Sequence, residues 1–323
     1  MSRPDAVRPD AGARIAIVGA GSVGATIAYA CMIRGVGRHL AVYDVDAAKV
    51  TAELLDLNHG LEFAPTATVD GGDDPAVCAG ADVVVITAGA KQHPGQTRLE
   101  LAGANVELCR AIVPRMLEVA PDALLLLVTN PVDVLTEVTR QLSGLPAERV
   151  VGSGTVLDSA RLRWLLAQRC GVAVQNVHAH VVGEHGDSEL PLWSTASIGG
   201  VPLTDWDVPG HGRLDPADLD GIAEEVRRAA EAIIRGKGAT NYAIGLATAR
   251  ILEAILGDER RVLPVSAACR GEHGIDDVCL SLPRIVDRGG AGPAVPLTLD
   301  EDELRGLRAS ADTIRAVVRS LGF

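Results

Sequence analysis

The feature that most constrains the fold is a short apolar strand that leads directly into a glycine-rich turn. Residues 15–18 read IAIV, and Gly19, Gly21 and Gly24 then follow in the spacing GxGxxG. The apolar residues after Gly24 recur with helical periodicity, so the segment predicts a strand, a turn and a helix. That order is typical of a unit that binds a dinucleotide, in which two glycines let the backbone approach a pyrophosphate and the third lets helix and strand pack closely. A structural turn without a ligand is the simpler alternative.

A carboxylate at the end of the next strand supports the dinucleotide interpretation. Residues 40–44 read LAVYD, so Asp44 lies twenty residues beyond Gly24. A carboxylate there accepts hydrogen bonds from the adenosine ribose and repels a 2′-phosphate. We therefore predict NAD, not NADP, as the cofactor, the alternative being a solvent-exposed aspartate.

Further apolar runs predict a mostly parallel sheet. They cover residues 82–87 (DVVVIT), 123–128 (ALLLLV) and 149–151, and helix-compatible segments separate them. Polar groups follow two of these strands, in the loop 88–98 (AGAKQHPGQTR) and at Asn130-Pro131. Open sheets bind ligands beyond the carboxyl ends of their strands. We expect the loop to be either a solvated connection or a lid that carries Arg98 onto a substrate. Asn130-Pro131 is a plain turn or a cis peptide that presents Asn130 to a ligand.

The second half of the chain contains a histidine flanked by glycines, in the segment HVVGEHGDSELPLW at 180–193. Glycine permits close approach of backbone and ligand, and a histidine titrates near neutral pH, so His185 is a candidate general acid and base. A structural histidine in a turn is the competing interpretation.

A helix predicted over residues 156–169 (VLDSARLRWLLAQR) supplies further candidate groups. Asp158 and Arg161 are three residues apart and share one face, whereas Arg163 points roughly 200° away from Arg161. The pair is either an intrahelical surface pair or a catalytic one. In the catalytic case the carboxylate orients a histidine and the guanidinium binds a substrate carboxylate.

Composition excludes several other classes of protein. The 323 residues are 47% hydrophobic but only 2% aromatic, so the core must be aliphatic, as in layered α/β proteins. A net charge of −12 argues against general binding to nucleic acid or to anionic membranes. The six cysteines form no CxxC pair, which favours a reducing compartment, and Cys269, His273 and Cys279 match no standard zinc spacing. We predict no metal.

These observations predict an α/β fold with two domains and a tail. We expect a disordered tail over residues 1–13, which is polar and unlike a signal peptide, and hence a cytoplasmic protein. A Rossmann-type, doubly wound parallel sheet that binds NAD is predicted over 14–153. An α+β substrate domain is predicted over 154–323.

Six ordered motifs also carry a family resemblance: GAGSVG, DLNHG at Asp56–Gly60, AKQHPGQTR, TNPVD, LDSARLR and GEHGDSE. Together they resemble the L-lactate dehydrogenases of the lactate/malate dehydrogenase superfamily, over residues 14–323. The resemblance implies reversible hydride transfer between NADH and pyruvate. It also implies that His185 is the acid and base, that Asp158 orients it, that Arg161 binds the substrate carboxylate and that Arg98 polarises the carbonyl.

The remaining implied contacts concern the substrate pocket and the cofactor. Asn130 and Thr240 would line the substrate pocket, and Ile244 would face the nicotinamide. The cofactor contacts that we expect are Gly19, Gly21, Val23, Gly24, Asp44, Thr87, Ala88, Gly89, Asn130 and Ile244.

One loop position separates lactate from malate enzymes in this superfamily, and Gln92 occupies it here. Malate enzymes carry an arginine there to pair with the second carboxylate of oxaloacetate, so an uncharged Gln92 favours pyruvate. The chain departs from common bacterial patterns at His93, Gln96 and Asn241, which leaves a bulkier 2-oxo acid open. A malate or other 2-hydroxy-acid dehydrogenase and a non-catalytic NAD sensor are the alternatives.

Two further residues match a regulatory site of the same family. Arg163 and His178 stand where many bacterial L-lactate dehydrogenases bind fructose 1,6-bisphosphate across a subunit interface. The resemblance therefore implies allosteric activation by this bisphosphate and a homotetramer. The alternative is an ordinary interface arginine and a strand histidine.

Overall fold

A computed structural model of the chain describes residues 12–90 and 98–323. Residues 1–11 of the predicted tail lie outside the described residues, as does the loop segment 91–97 with Gln92, His93 and Gln96. Arg98 is described only as the first residue of a helix.

Over the described ranges the chain forms fourteen strands and eight helices. The strands are β1 (Arg14–Val18), β2 (His39–Tyr43), β3 (Thr68–Gly72), β4 (Val83–Ile86), β5 (Leu124–Leu127), β6 (Val150–Gly152), β7 (Val177–His178), β8 (Val181–Val182), β9 (Leu190–Pro191), β10 (Ser197–Ile198), β11 (Val201–Pro202), β12 (Arg261–Arg270), β13 (Asp276–Asp287) and β14 (Gly290–Ala294). The helices are α1 (Ser22–Arg34), α2 (Ala47–His59), α3 (Arg98–Val119), α4 (Val132–Ser143), α5 (Val156–Cys170), α6 (Pro216–Lys237), α7 (Tyr242–Leu256) and α8 (Glu301–Ser320).

The first six strands form a parallel sheet in the order β3-β2-β1-β4-β5-β6. This is the doubly wound Rossmann order, so the predicted fold class is confirmed. Strands β1, β4 and β5 are almost fully buried because helices cover both faces, which explains their continuous apolar sequences. The edge strand β3, which reads TVDGG, lacks an apolar run and is therefore not predicted from the sequence.

The sheet continues into the second half of the chain. Ser266 of β12 pairs antiparallel with Gly152 of β6, and β13 and β14 extend the sheet beyond it. Two short hairpin-like sheets, β7-β10-β11 and β8-β9, complete this half in the part of the chain that the structure describes. None of the described helices is long and apolar enough to span a bilayer.

The glycine turn after β1 is required by packing. Gly19 has a φ of 110°, and a Cβ on it would lie 2.7 Å from the backbone nitrogen of Ala88. A Cβ on Gly24, inside α1, would lie 1.9 Å from the carbonyl oxygen of Gly19. The third glycine of the motif therefore allows α1 to pack directly on the turn, as the motif predicts.

We predict that Gly24→Ala destabilises the protein by at least about 2 kcal/mol, because the new methyl group meets rigid backbone. The matched control is Gly221→Ala in α6, where a Cβ meets nothing within 4 Å and where removing a helical glycine is neutral or stabilising. Thermal and denaturant unfolding of both variants test this. Equal stability of the two variants would contradict the packing argument.

Candidate active site

The site is built on one buried carboxylate that binds two cationic side chains. Asp158 is only 1% exposed. Its Oδ2 lies 2.6 Å from His185 Nδ1, and its Oδ1 accepts a hydrogen bond from Arg161 Nη1 at 2.6 Å. The structure therefore brings His185, Asp158 and Arg161 together, and burial of Asp158 rules out the interpretation of an exposed surface pair. His185 Nε2 is left for another ligand, and the other N–H donors of Arg161 make no hydrogen bond to a described residue.

Two hydroxyl side chains four residues apart, those of Thr155 and Ser159, form hydrogen bonds that align α5 with β8, the strand before His185. Thr155 Oγ1, at the N-cap of α5, donates to the carbonyl of Val181 at 2.6 Å. Ser159 Oγ accepts the backbone N–H of Val181 at 2.9 Å. These contacts hold the first turn of α5, which carries Asp158, against β8. The position of the carboxylate relative to the histidine follows from this alignment.

The turn that carries His185 is held from its other side as well. Gly183 has a φ of 90°, and its N–H donates to the carbonyl of Ser281 in β13. The backbone N–H of His185 donates to Asp133 Oδ2 at 2.7 Å, and Ser281 Oγ donates to Asp133 Oδ1 at 2.9 Å. A buried carboxylate at the start of α4 thus positions the histidine through its backbone. Burial raises the pKa of Asp133.

The electrostatics of the site favour the imidazolium form of His185. The charge of Asp158 raises the pKa of His185 to about 9, against burial, with Asp133 and Glu189 acting in the same direction. Burial acts to raise the pKa of Asp158, but His185 and Arg161 overcome this and hold it below its ordinary value. At neutral pH the pair is therefore an imidazolium and a carboxylate, ready to donate a proton.

Asp158, His185 and Glu189 present possible ligand atoms within 4.8 Å of one another. A divalent cation there would meet Arg161, whose guanidinium is bound to Asp158, and would compete with the proton of His185. We therefore assign these groups to proton chemistry.

The carboxyl edge of the parallel sheet has the features of a dinucleotide site. Helix α1 begins after Gly21 without a side-chain cap, so its first N–H groups are available to a phosphate. A Cβ on Gly21 would contact only Lys49 Nζ, at 3.9 Å, which leaves the approach to the turn open. Asp44 Oδ2 accepts the N–H of Ala20 at 2.7 Å, which joins the end of β2 to the glycine turn. The residues present fit NAD.

The other strand ends at this edge are joined by a buried asparagine that sequence analysis did not select. Asn105 Oδ1 accepts the N–H of Ala90 at 2.7 Å, and its Nδ2 donates to the carbonyl of Asn130 at 2.7 Å. The Asn130–Pro131 peptide is cis, and the Asn130 side chain is exposed. A Cβ on Gly89 would lie 2.7 Å from Thr129 Cγ2, and Thr87 Oγ1 donates to the Val18 carbonyl at 3.0 Å.

The segment between α6 and α7 contains the remaining predicted contacts. Thr240 and Ile244 are half-buried, and Ile244 packs against the core of the parallel sheet. Asn241 Nδ2 donates to Thr26 Oγ1 on α1 at 3.0 Å. A Cβ on Gly245 would lie 2.6 Å from Thr26 Cγ2. This segment therefore packs closely on the helix that begins at the glycine turn.

A third basic residue, the half-buried His180, lies beside Arg163 in the predicted regulatory site. Arg163 Nε donates to the Ala179 carbonyl at 2.8 Å, and its Nη2 lies 3.3 Å from His180 Nδ1. His178 is exposed on β7. Burial, Arg163 and His178 together lower the pKa of His180 to about 4. His180 therefore stands between the two residues that sequence analysis selected, and it was missed because it lies two residues beyond His178 without a motif of its own.

A doubly wound sheet with an open dinucleotide edge, next to an imidazolium and a guanidinium that share one carboxylate, is the arrangement of a dehydrogenase. Comparisons with known proteins agree. The lactate/malate dehydrogenase NAD binding domain matches residues 13–152, and the lactate/malate dehydrogenase alpha/beta C-terminal domain matches residues 155–321. The chain belongs to the lactate/malate dehydrogenase family and is an NAD-dependent oxidoreductase.

Similar proteins cover nearly the whole chain. The L-lactate dehydrogenase of Bifidobacterium animalis subsp. lactis is 53% identical over 311 residues, which are 96% of this chain and 97% of that protein. The L-lactate dehydrogenase of Thermus aquaticus is 46% identical over 96% of this chain and 100% of its own length. The crystal structure of a minor L-lactate dehydrogenase from Enterococcus mundtii superimposes with a TM-score of 0.92 at 40% identity, covering 96% of this chain and 99% of that one.

We predict that Asp158→Asn lowers the pKa of His185 well below about 9, because burial then opposes the imidazolium without its main counter-charge. An NMR titration of the histidine ring protons measures this without turnover. Asp312→Asn is the control, since Asp312 pairs with Arg315 in an exposed i,i+3 pair. A His185 that still titrates near 9 in Asp158→Asn would refute the assignment.

Proposed function

We propose that the protein is an L-lactate dehydrogenase, which interconverts pyruvate and L-lactate. The observation that carries the proposal is the shared carboxylate of Asp158, which binds His185 and Arg161 at 2.6 Å each. A proton donor and a binder of carboxylates are thereby held at a constant separation, as a 2-oxo acid requires for its adjacent carbonyl and carboxylate. The names of the similar proteins support the choice of lactate.

The charge of each side chain determines its role in the reaction. NADH supplies the hydride when it is bound. The imidazolium of His185 donates its proton from Nε2 to the carbonyl oxygen, while Asp158 stabilises the charged ring and holds its tautomer. Arg161 binds the substrate carboxylate through the donors that Asp158 does not occupy. In the reverse direction, neutral His185 accepts the proton from the hydroxyl group of lactate.

The other site residues have roles that rest on the family resemblance. We assign polarisation of the carbonyl to Arg98, the first residue of α3, and contact with the reacting oxygen to Asn130. Thr240 would line the substrate pocket, and Ile244 would face the nicotinamide. Gly19, Gly21, Val23, Gly24, Asp44, Thr87, Ala88 and Gly89 would hold the rest of the cofactor.

Preference for pyruvate is assigned to Gln92, which lies outside the described residues. We predict that kcat/KM for pyruvate exceeds that for oxaloacetate by about 100-fold or more, because the second carboxylate of oxaloacetate has no cationic partner at Gln92. Gln92→Arg should raise kcat/KM for oxaloacetate by about 100-fold and lower it for pyruvate. NADH oxidation with each substrate measures both values.

The control is Gln168→Arg, which makes the same charge change on an exposed position of α5 and should not alter the preference. A wild-type preference for oxaloacetate would indicate a malate enzyme. NADH binding without turnover of either acid would indicate a bulkier 2-oxo acid as substrate or an NAD sensor.

We also propose a cytoplasmic homotetramer that fructose 1,6-bisphosphate activates. The supports are the grouping of Arg163 with the basic residues His178 and His180 and the family resemblance of Arg163 and His178. The cysteines are all buried and unpaired in the described residues, as suits a reducing compartment. A phosphate group would bind the exposed His178 and draw the guanidinium of Arg163 towards solvent.

We predict that fructose 1,6-bisphosphate lowers the KM for pyruvate by about 5- to 150-fold, the usual range of allosteric coupling, and favours the tetramer. His178→Gln should weaken this activation, with Arg169→Gln as the control, because Arg169 is an exposed arginine on α5, the helix that carries Arg163. Kinetics and sedimentation with and without the bisphosphate test the proposal. No change in rate or assembly would remove the regulatory assignment and leave the catalytic one standing.

A further inference from the structure

Glu189, the last residue of the GEHGDSE segment, is a buried acid beside the catalytic pair. It is 6% exposed, and its Oε1 is buried without a hydrogen-bond partner among the described residues. One of its carboxyl oxygens, an oxygen of Asp158 and a ring nitrogen of His185 lie within 4.8 Å of one another. A carboxyl group this close to the reacting histidine affects the site through its charge.

The charged groups that face Glu189 come from three elements. Helix α5 contributes Asp158 and Arg161, the catalytic turn contributes His185, and α6 contributes Arg227, which also pairs with Glu224. Burial and the charge of Asp158 raise the pKa of Glu189 to about 8, against the three cationic groups. Asp133 of α4 acts on the same histidine. At neutral pH Glu189 therefore carries its proton.

The protonation state of Glu189 decides the charge balance of the site. With a neutral Glu189, the substrate carboxylate at Arg161 meets no added negative charge from this side of the site. With an ionised Glu189, two carboxylates lie in the same largely buried site and repel each other, which is unfavourable. Substrate binding and the proton on Glu189 must then favour each other.

We propose that Glu189 is a positioning residue that must hold its proton for the substrate carboxylate to bind at Arg161, so that binding takes up a proton at alkaline pH. The proposal rests on the proposed function in one respect, namely that a 2-oxo acid monoanion binds at Arg161. It assigns the alkaline limit of substrate affinity to Glu189 and the alkaline limit of proton transfer to His185.

The test is the pH dependence of the affinity of the enzyme–NADH complex for oxamate, an isostere of pyruvate that cannot be reduced. NADH fluorescence gives Kd from pH 6.5 to 9.5, and each variant is compared with its own value at pH 7. For the wild type we expect Kd to rise about twentyfold by pH 9, because a group with a pKa of about 8 is then roughly nine-tenths ionised and His185, with a pKa of about 9, is about half deprotonated. In Glu189→Gln only the weaker loss from His185 should remain, at least about twofold at pH 9, because removing the Glu189 charge lowers the pKa of His185 from about 9.

Glu231→Gln is the matched control, because Glu231 lies exposed on α6 in a pair with Arg235, and it should follow the wild-type curve. A Glu189→Gln curve that matches the wild type overturns the proposal, as does a lowered Tm with an unchanged curve, which would show a structural role only.

A second measurement needs no variant. Calorimetry of oxamate binding in two buffers of different ionisation enthalpy should show uptake of about half a proton at pH 8, and no uptake overturns the proposal. Absence of pyruvate turnover by the wild type at pH 7 would contradict the proposed function, whereas the oxamate measurements would still report on Glu189.

Discussion

The rest of the site depends on the buried carboxylate of Asp158. An isolated carboxylate at 1% exposure would be strongly destabilising, and it is ionised here because two cationic groups bind it at 2.6 Å. The same two bonds set the distance between a proton donor and a carboxylate binder. Removing either cation would raise the pKa of Asp158, and removing Asp158 would lower the pKa of His185 and leave Arg161 without its counter-charge. The stability of the buried carboxylate and the catalytic geometry therefore depend on the same two bonds.

The short bonds of Asp158 require a fixed backbone, and several further hydrogen bonds around the site hold it in place. Thr155 and Ser159 hold α5 against β8, and Asp133 and Ser281 hold the turn after it through the backbone N–H of His185. Each contact fixes the position of the backbone, so the imidazole of His185 is already oriented towards Asp158. The sheet places this assembly beside the carboxyl edge where the glycine turn and α1 lie. The acid and base thus face the position that a dinucleotide occupies in such folds.

Much of the molecule was predictable from local sequence. Apolar runs or helical periodicity within a few residues predict the strands β1, β2, β4, β5 and β6 and the helices α1 and α5. The glycine spacing predicted the packing at Gly24, and the pairing of Asp158 with Arg161 followed from helix geometry. The edge strand β3 was not predictable in this way, because its pairing with β2 supplies the hydrogen bonds that its sequence TVDGG does not indicate.

The sequence by itself determined the local elements, the family and the types of chemical group available, since these depend on short-range periodicity and on motif order. Only the tertiary structure decided which groups meet. His185 is 27 residues from Asp158, and Asp133 is 52 residues from His185, so no local pattern joins them. Burial of Glu189 and the lowered pKa of His180 likewise depend on neighbours from other elements. Proton affinities are set by desolvation and by distant charges, and these exist only once the chain is folded.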